Sequence, residues 1–199
     1  MEGDLNTFKC VVVGDDAVGK TSLLISYATR TFPANKVPDI FDNYAGCVVM
    51  GGIPYSMSLI DTSKQIDSEG LRSHLYEGTD VFIVCFSVVR PESMESAQER
   101  WLPDIKENYP DVPVVVIGTQ TDLRENQAVV QFLKHECQTP VSYAQGAALA
   151  KRHGAKDYLE VSPFNQRKLR HLLDRSLTCV LSSSDSKRPK AENSGCKIM

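Results

Sequence analysis

The chain has 199 residues, 42% of them hydrophobic and 24% charged, with a formal net charge of -3. That is enough for one domain with a real core, and the composition is globular and not that of a disordered chain. The weakly acidic balance argues against a nucleic-acid binder, and no apolar run approaches the ~18–20 residues of a membrane-spanning helix.

The start, Met1-Glu2-Gly3-Asp4, is acidic and lacks the basic stretch of a secretion signal. Residues 8–13 predict a buried strand and 19–30 the helix after it. A loop with two prolines follows over 31–43. Strands over 44–50 and 55–60 flank Gly51-Gly52, a hairpin signal. Residues 62–70 are polar and irregular. Residues 81–87 predict another buried strand. Pro91 suits a first helical position, so a helix is expected from there to about Asn108. Residues 112–118 predict a strand and 125–137 a short amphipathic segment. An Ala-rich helix covers 142–153 and stops at Gly154. A short strand over 157–161 and a helix over 166–181 complete the domain. That helix places Leu169, Leu172, Leu173, Leu177 and Val180 on one face. From Ser182 onward the chain is Ser-, Lys- and Pro-rich and predicts a flexible tail.

Six strands alternating with helices, with one hairpin, predict an α/β fold: a mostly parallel six-stranded sheet covered on both faces. Ligands of such sheets bind beyond the carboxyl ends of the strands. Six cysteines occur without a C-x-x-C pair. Cys10, Cys47 and Cys85 stand in apolar runs and read as buried free thiols of a reducing compartment. Cys179 reads as core.

Gly14-Asp15-Asp16-Ala17-Val18-Gly19-Lys20-Thr21 fits G-x-x-x-x-G-K-[ST] between a strand and a helix. Glycines let backbone N–H groups wrap phosphates, and the helix N-terminus favours an anion. Lys20 supplies a point charge for the β- and γ-phosphates, and the Thr21 hydroxyl a Mg²⁺ ligand. Thr119-Gln120-Thr121-Asp122 follows the strand over 112–118. An Asp there can accept both N–H groups of guanine's Watson–Crick edge, which adenine does not offer. The pair of motifs favours GTP over ATP.

With these motifs the sequence resembles the Rho family of small GTPases over nearly its whole length. Phe41-Asp42-Asn43-Tyr44 resembles the family's effector loop, Trp101 and Asp122-Leu123-Arg124 match, and 125–137 lies where the family carries its insert helix. The hairpin and Gln120 look most like the cell-division-control subgroup. The resemblance implies a P-loop small G domain over 1–181 and a tail over 182–199. It implies GTP, GDP and Mg²⁺ as ligands. Gly14, Asp16, Ala17, Val18, Gly19, Lys20, Thr21 and Ser22 would line the phosphates. Phe32, Thr119, Gln120, Asp122 and Ser162 would surround the base. Thr21, Asp39 and Asp61 would serve the metal, and Gln65 would orient the attacking water. Members switch between GTP- and GDP-bound shapes and steer actin organisation, polarity and membrane traffic.

Several residues depart from the family pattern. Asp16 stands where the pattern has Gly, crowding the γ-phosphate with a like charge. At ~4–5 Å and an effective dielectric of ~20 that is at most about 3–4 kcal/mol. Asp39 replaces the metal-binding Thr of the first switch loop, and Lys36 replaces a Tyr that closes over the phosphates. Ser63-Lys64 replaces Ala-Gly, and Ser68 and Gly70 replace bulkier residues. An Asp16–Lys64 pair could tether the second switch loop, with independent drift as the alternative. Pro163 replaces an Ala whose N–H meets guanine O6; proline has no N–H.

Cys196-Lys197-Ile198-Met199 fits C-a-a-X, a farnesylation signal, with the weak basic stretch Lys187-Arg188-Pro189-Lys190 upstream. These features together predict a monomeric, prenylated, atypical GTP-binding switch with fast exchange, slow hydrolysis, or both. It would bind effectors through the first switch loop. It would act at the cytoplasmic face of internal membranes, such as Golgi or endosome, or of the plasma membrane, and in the cytoplasm. The alternative is a membrane-tethered interaction module with little nucleotide binding.

Overall fold

The structure, a computed structural model, describes residues 6–33, 43–62 and 74–187. In chain order it runs β1 (Asn6–Val13), α1 (Lys20–Thr29), β2 (Asn43–Met50), β3 (Ile53–Asp61) and β4 (Val81–Ser87). Next comes α2 (Pro91–Ser96), which passes through a π-helical turn, Ala97–Trp101, into α3 (Leu102–Asn108). Then follow β5 (Val114–Thr119), a 3-10 turn (Thr121–Leu123), α4 (Gln127–His135), α5 (Tyr143–Arg152), β6 (Asp157–Glu160) and α6 (Gln166–Lys187). The strands form one sheet in the order β2-β3-β1-β4-β5-β6, parallel except for β2, which pairs antiparallel with β3.

Every residue of β4 is buried, because this central strand is covered on both faces, and its run Val-Phe-Ile-Val-Cys-Phe-Ser is apolar to match. Leu59, Ile83 and Ile117 face α1 and α6, and Val11, Phe82 and Val116 face the helix over 91–108 and α5. Trp101 and Ile105 of that helix, and Leu133 of α4, are buried in the second layer. The predicted apolar face of α6, Leu169 to Val180, packs into the first. Gly51 and Gly52 both take positive φ, 59° and 82°, as the two-residue hairpin turn requires.

Two expectations need correction. Cys47 is exposed, not buried. It lies on the edge strand β2, where Tyr44 and Val48 point into the core while Ala45, Cys47 and Val49 point away. The last helix does not stop at 181 but continues to Lys187. The Ser182 and Ser183 hydroxyls donate to the carbonyls of Thr178 and Cys179, at 2.8 and 2.9 Å, and so join the helix's own bonding. Among the described residues Cys10, Cys85 and Cys179 are buried free thiols. No helix among them is long and apolar enough to cross a membrane.

Candidate functional site

Strand register brings the motifs to one edge. Val12 pairs with Asp61, Val13 with Val84, Ser87 with Thr119 and Gly118 with Glu160. The residues that follow these strands leave the same carboxyl edge. At β1 the connections diverge, to β3 on one side and β4 on the other. An α/β sheet takes a ligand at such a switch point.

The loop between β1 and α1 is shaped for an anion. Gly14 has φ 141°, and a Cβ there would lie 2.2 Å from the Cys85 carbonyl oxygen, so only glycine fits. Gly19, at φ 94°, turns the chain into α1. Lys20 is 2% exposed, and its Nζ donates to the Gly14 and Asp15 carbonyls, both at 2.7 Å. Burial pushes this ammonium below its ordinary value, and Cys85, Asp61, Asp16 and Asp15 pull it back up.

Three further carbonyls are held from outside the loop. Arg90 Nη1 donates to the Asp16 carbonyl at 2.7 Å, Gln120 Nε2 to that of Ala17 at 3.2 Å, and Thr119 Oγ1 to that of Val18 at 2.5 Å. In a trans peptide the C=O and the next N–H point opposite ways. Tying these carbonyls down turns the N–H groups of Ala17, Val18 and Gly19 to the other side, at the N-terminus of α1. That arrangement is an anion nest. Trp101, ending the π-helical turn, donates its Nε1 to Asp15 Oδ1 at 2.8 Å and fixes the loop's near end.

Beside the nest the Thr21 hydroxyl donates to Asp61 Oδ2. Thr62 Oγ1 donates to the Val12 carbonyl at 2.8 Å, locking the end of β3 to β1. A hydroxyl and a carboxylate brought together next to a phosphate nest are the hard oxygen donors that suit Mg²⁺. Mg²⁺ takes few protein ligands and completes its shell with water and phosphate. Among the described residues no cluster of three His, Cys, Asp or Glu offers another metal site.

Thr119, Gln120, Asp122 and Ser162, expected around a base, lie at or just beyond the ends of β5 and β6. Gln120 takes a left-handed turn, φ 57°, and its Oε1 accepts from Ser87 Oγ at 2.5 Å. Asp122 follows, exposed, in the 3-10 turn. Arg124 holds that turn against β6. It makes a two-pronged bond with the Glu160 carboxylate and donates to the Val141 carbonyl at 2.9 Å. The Tyr158 hydroxyl also donates to Glu160, at 2.9 Å. Burial alone would raise the Glu160 carboxyl, but Arg124 and Tyr158 hold it below its ordinary value. Ser162 and Pro163 are buried just beyond, and Ser162 Oγ accepts from the Phe164 N–H at 3.3 Å. The Phe164 ring lies on Phe32, with centroids 4.1 Å apart and planes 30° apart.

Of the residues singled out in the sequence, the structure thus gathers Gly14 to Thr21 and Asp61 on the phosphate side. Ser22 sits half-buried in the first turn of α1. Phe32, Thr119, Gln120, Asp122 and Ser162 stand on the base side. Tyr44 is buried in β2, which Asn43 opens. Lys36, Asp39, Phe41, Asp42, Ser63, Lys64, Gln65, Ser68, Gly70 and Cys196 lie outside the described residues, and with Lys64 the Asp16–Lys64 pair. Sequence reasoning missed Arg90, the Trp101–Asp15 bond and the Arg124–Glu160 bridge. Each is a contact across more than 30 residues, and no local motif announces it.

The buried lysine, the anion nest, the hydroxyl–carboxylate pair and an aspartate at the end of β5 are the parts of a nucleotide switch. A model of the Ras family matches residues 9–181. The chain belongs to that family of small GTPases, whose members bind GTP, GDP and Mg²⁺, hydrolyse GTP and engage effectors.

Proposed function

We propose that this chain is an atypical, Rho-type member that releases guanine nucleotide quickly, hydrolyses GTP slowly and responds poorly to activating proteins. The observation that carries this reading is a contrast between the two halves of the site. The phosphate side keeps a buried Lys20, a tied nest and the Thr21–Asp61 pair. The base side has Pro163 in the buried turn after Ser162, where no N–H is available for guanine O6. Binding would therefore rest on the phosphates and the metal, with Asp122 reading the remaining edge of the base.

Slow hydrolysis follows from Asp16. Asp16 is exposed in the loop that forms the nest, and the family resemblance would set its side chain beside the space that the attacking water and an incoming arginine need. A carboxylate there disfavours further negative charge and obstructs that approach. The helix α4 supports the Rho-type reading, since it falls within 125–137, where the resemblance would put that family's insert. Effectors would engage through Phe41-Asp42-Asn43-Tyr44. A farnesyl group on Cys196, helped by the weak basic stretch Lys187-Arg188-Pro189-Lys190, would hold the protein to the cytoplasmic face of membranes. A single lipid anchors reversibly, which favours dynamic attachment to internal membranes.

The test is the nucleotide content of the purified, denatured protein, with thermal shifts in millimolar GTP and Mg²⁺. Bound GTP is the expected result. Stoichiometric GDP would show an ordinary hydrolytic cycle. An empty site with no stabilisation by GTP and Mg²⁺ would identify a tethered interaction module instead.

A further inference from the structure

Among the described residues three side chains clamp carbonyls of the phosphate loop from outside, and two of them, Thr119 and Gln120, come from the end of β5 and the turn after it. The third comes from elsewhere. Arg90 is the residue immediately before α2, and its guanidinium reaches across 74 positions to the Asp16 carbonyl. Its Nε is held by Glu92 Oε1 at 3.0 Å, and its own carbonyl accepts from the Ser93 N–H at 2.9 Å and the Ser93 hydroxyl at 2.6 Å. Ser93 is buried and its hydroxyl in turn accepts from the Ser87 N–H, at 2.9 Å, at the end of β4. The arginine is therefore fixed at its backbone and along its side chain before it meets the loop.

We propose that Arg90 is a positioning residue for nucleotide phosphates. It turns the Asp16–Ala17 peptide so that the Ala17 N–H faces the anion, and it sets a fixed positive charge beside the residue whose carboxylate opposes that anion. The inference rests on guanine-nucleotide binding and deepens it. A charged donor suits this task better than a neutral one. It bonds the carbonyl more strongly, and its charge offsets that of Asp16 at short range. A triphosphate, carrying more negative charge than a diphosphate, has more to lose when Arg90 is removed. Asp16 and Arg90 then form a coupled pair, although the bond runs to the backbone and not to the carboxylate.

The experiment measures dissociation of fluorescent GTP and GDP analogues from the Mg²⁺-loaded full chain in four proteins: wild type, Arg90→Ala, Asp16→Gly and the double variant. Arg90→Lys serves as the conservative control. Loss of a charge-assisted hydrogen bond leads us to expect GTP release roughly ten- to a hundredfold faster in Arg90→Ala. GDP release should change less, and Arg90→Lys should recover part of the loss. In the Asp16→Gly background, removing Arg90 should separate GTP from GDP less than it does in the wild type. Melting of each nucleotide-free protein separates this effect from a general loss of fold. The proposal is overturned if Arg90→Ala changes release by less than twofold. It is equally overturned if both nucleotides leave faster by the same factor whether residue 16 is Asp or Gly. A wild-type chain that retains neither nucleotide would sink the GTP reading and this proposal together.

Discussion

At Pro163 the chain gives up a backbone N–H in the loop that the family resemblance assigns to guanine O6. The loss can be reversed without changing charge. Pro163→Ala is expected to slow release of GDP and GTP by between a few-fold and a hundredfold. That range combines a net hydrogen bond of about 0.5–1.5 kcal/mol with the cost of an unpaired acceptor, about 1–3 kcal/mol. Fluorescent-nucleotide dissociation checks it, and an unchanged rate would mean that the base is held another way. The departure was legible in the sequence because proline announces its missing donor by residue type alone. The chemistry expected of Lys20 and Thr21 is legible for the same reason, since phosphate and Mg²⁺ admit few residue types, whereas that of Asp61 came only with the family resemblance. Arg90 and Trp101 were not. Arginine before a helix and tryptophan inside one have many uses, and only the tertiary fold brings them to Asp16 and Asp15.

Between elements, the base side depends on how tightly α5 and β6 close. A Cβ on Gly146 would lie 2.1 Å from the Tyr158 hydroxyl and 2.2 Å from the ring carbon that bears it. Gly146→Ala is expected to cost about 1–3 kcal/mol by overpacking, read by denaturant unfolding. Pairing it with Tyr158→Leu should recover part of that loss. The Arg124–Glu160 bridge makes a pH prediction. A carboxyl held below its ordinary value adds stability that is present above the unfolded value, 4.5. It is lost as pH falls through the lower folded value. Glu160→Gln should therefore weaken the fold at neutral pH and flatten the acid side of its melting profile, and it should speed nucleotide release by loosening the turn that carries Asp122. An acid limb identical to wild type would show that the bridge is idle. Element type and order followed from apolar runs and from punctuation by Gly and Pro. Two matters did not. The exposure of Cys47 depends on β2 being an edge strand, a property of topology and not of its Val-rich sequence. The extension of α6 runs through serines whose hydroxyls bond back to carbonyls one turn earlier, whereas serine-rich composition reads as loop.

For the molecule as a whole, the nucleotide and its metal are expected to act as part of the fold. Among the described residues three side chains hold carbonyls of the nest from outside, and the Lys20 ammonium is buried against two more, so a bound phosphate would set an opposite charge beside it. Saturating GTP with Mg²⁺ should raise the melting temperature, by an amount equivalent to about 4 kcal/mol when the ligand stands a thousandfold above its dissociation constant. ATP should give much less, because Asp122 has no partner on adenine. Chelating Mg²⁺ should remove most of the GTP effect. A rise of the same size with ATP would remove Asp122 from the role of base reader.

If the proposed lipid is attached at Cys196, the continuation of α6 to Lys187 would also set how far the protein could stand from a bilayer. Cys196 lies nine residues beyond that helix end. A fully extended leash of that length spans at most about 30 Å, at 3.3–3.6 Å per residue, against about 50 Å had the leash begun at Ser182. Residues wound into helix advance only about 1.5 Å each and are rigid. A lipid on Cys196 would therefore keep the G domain within roughly its own diameter of the membrane surface. Partners embedded in that membrane would meet its switch face at low altitude, while partners that need a tall, freely swinging domain would be out of reach.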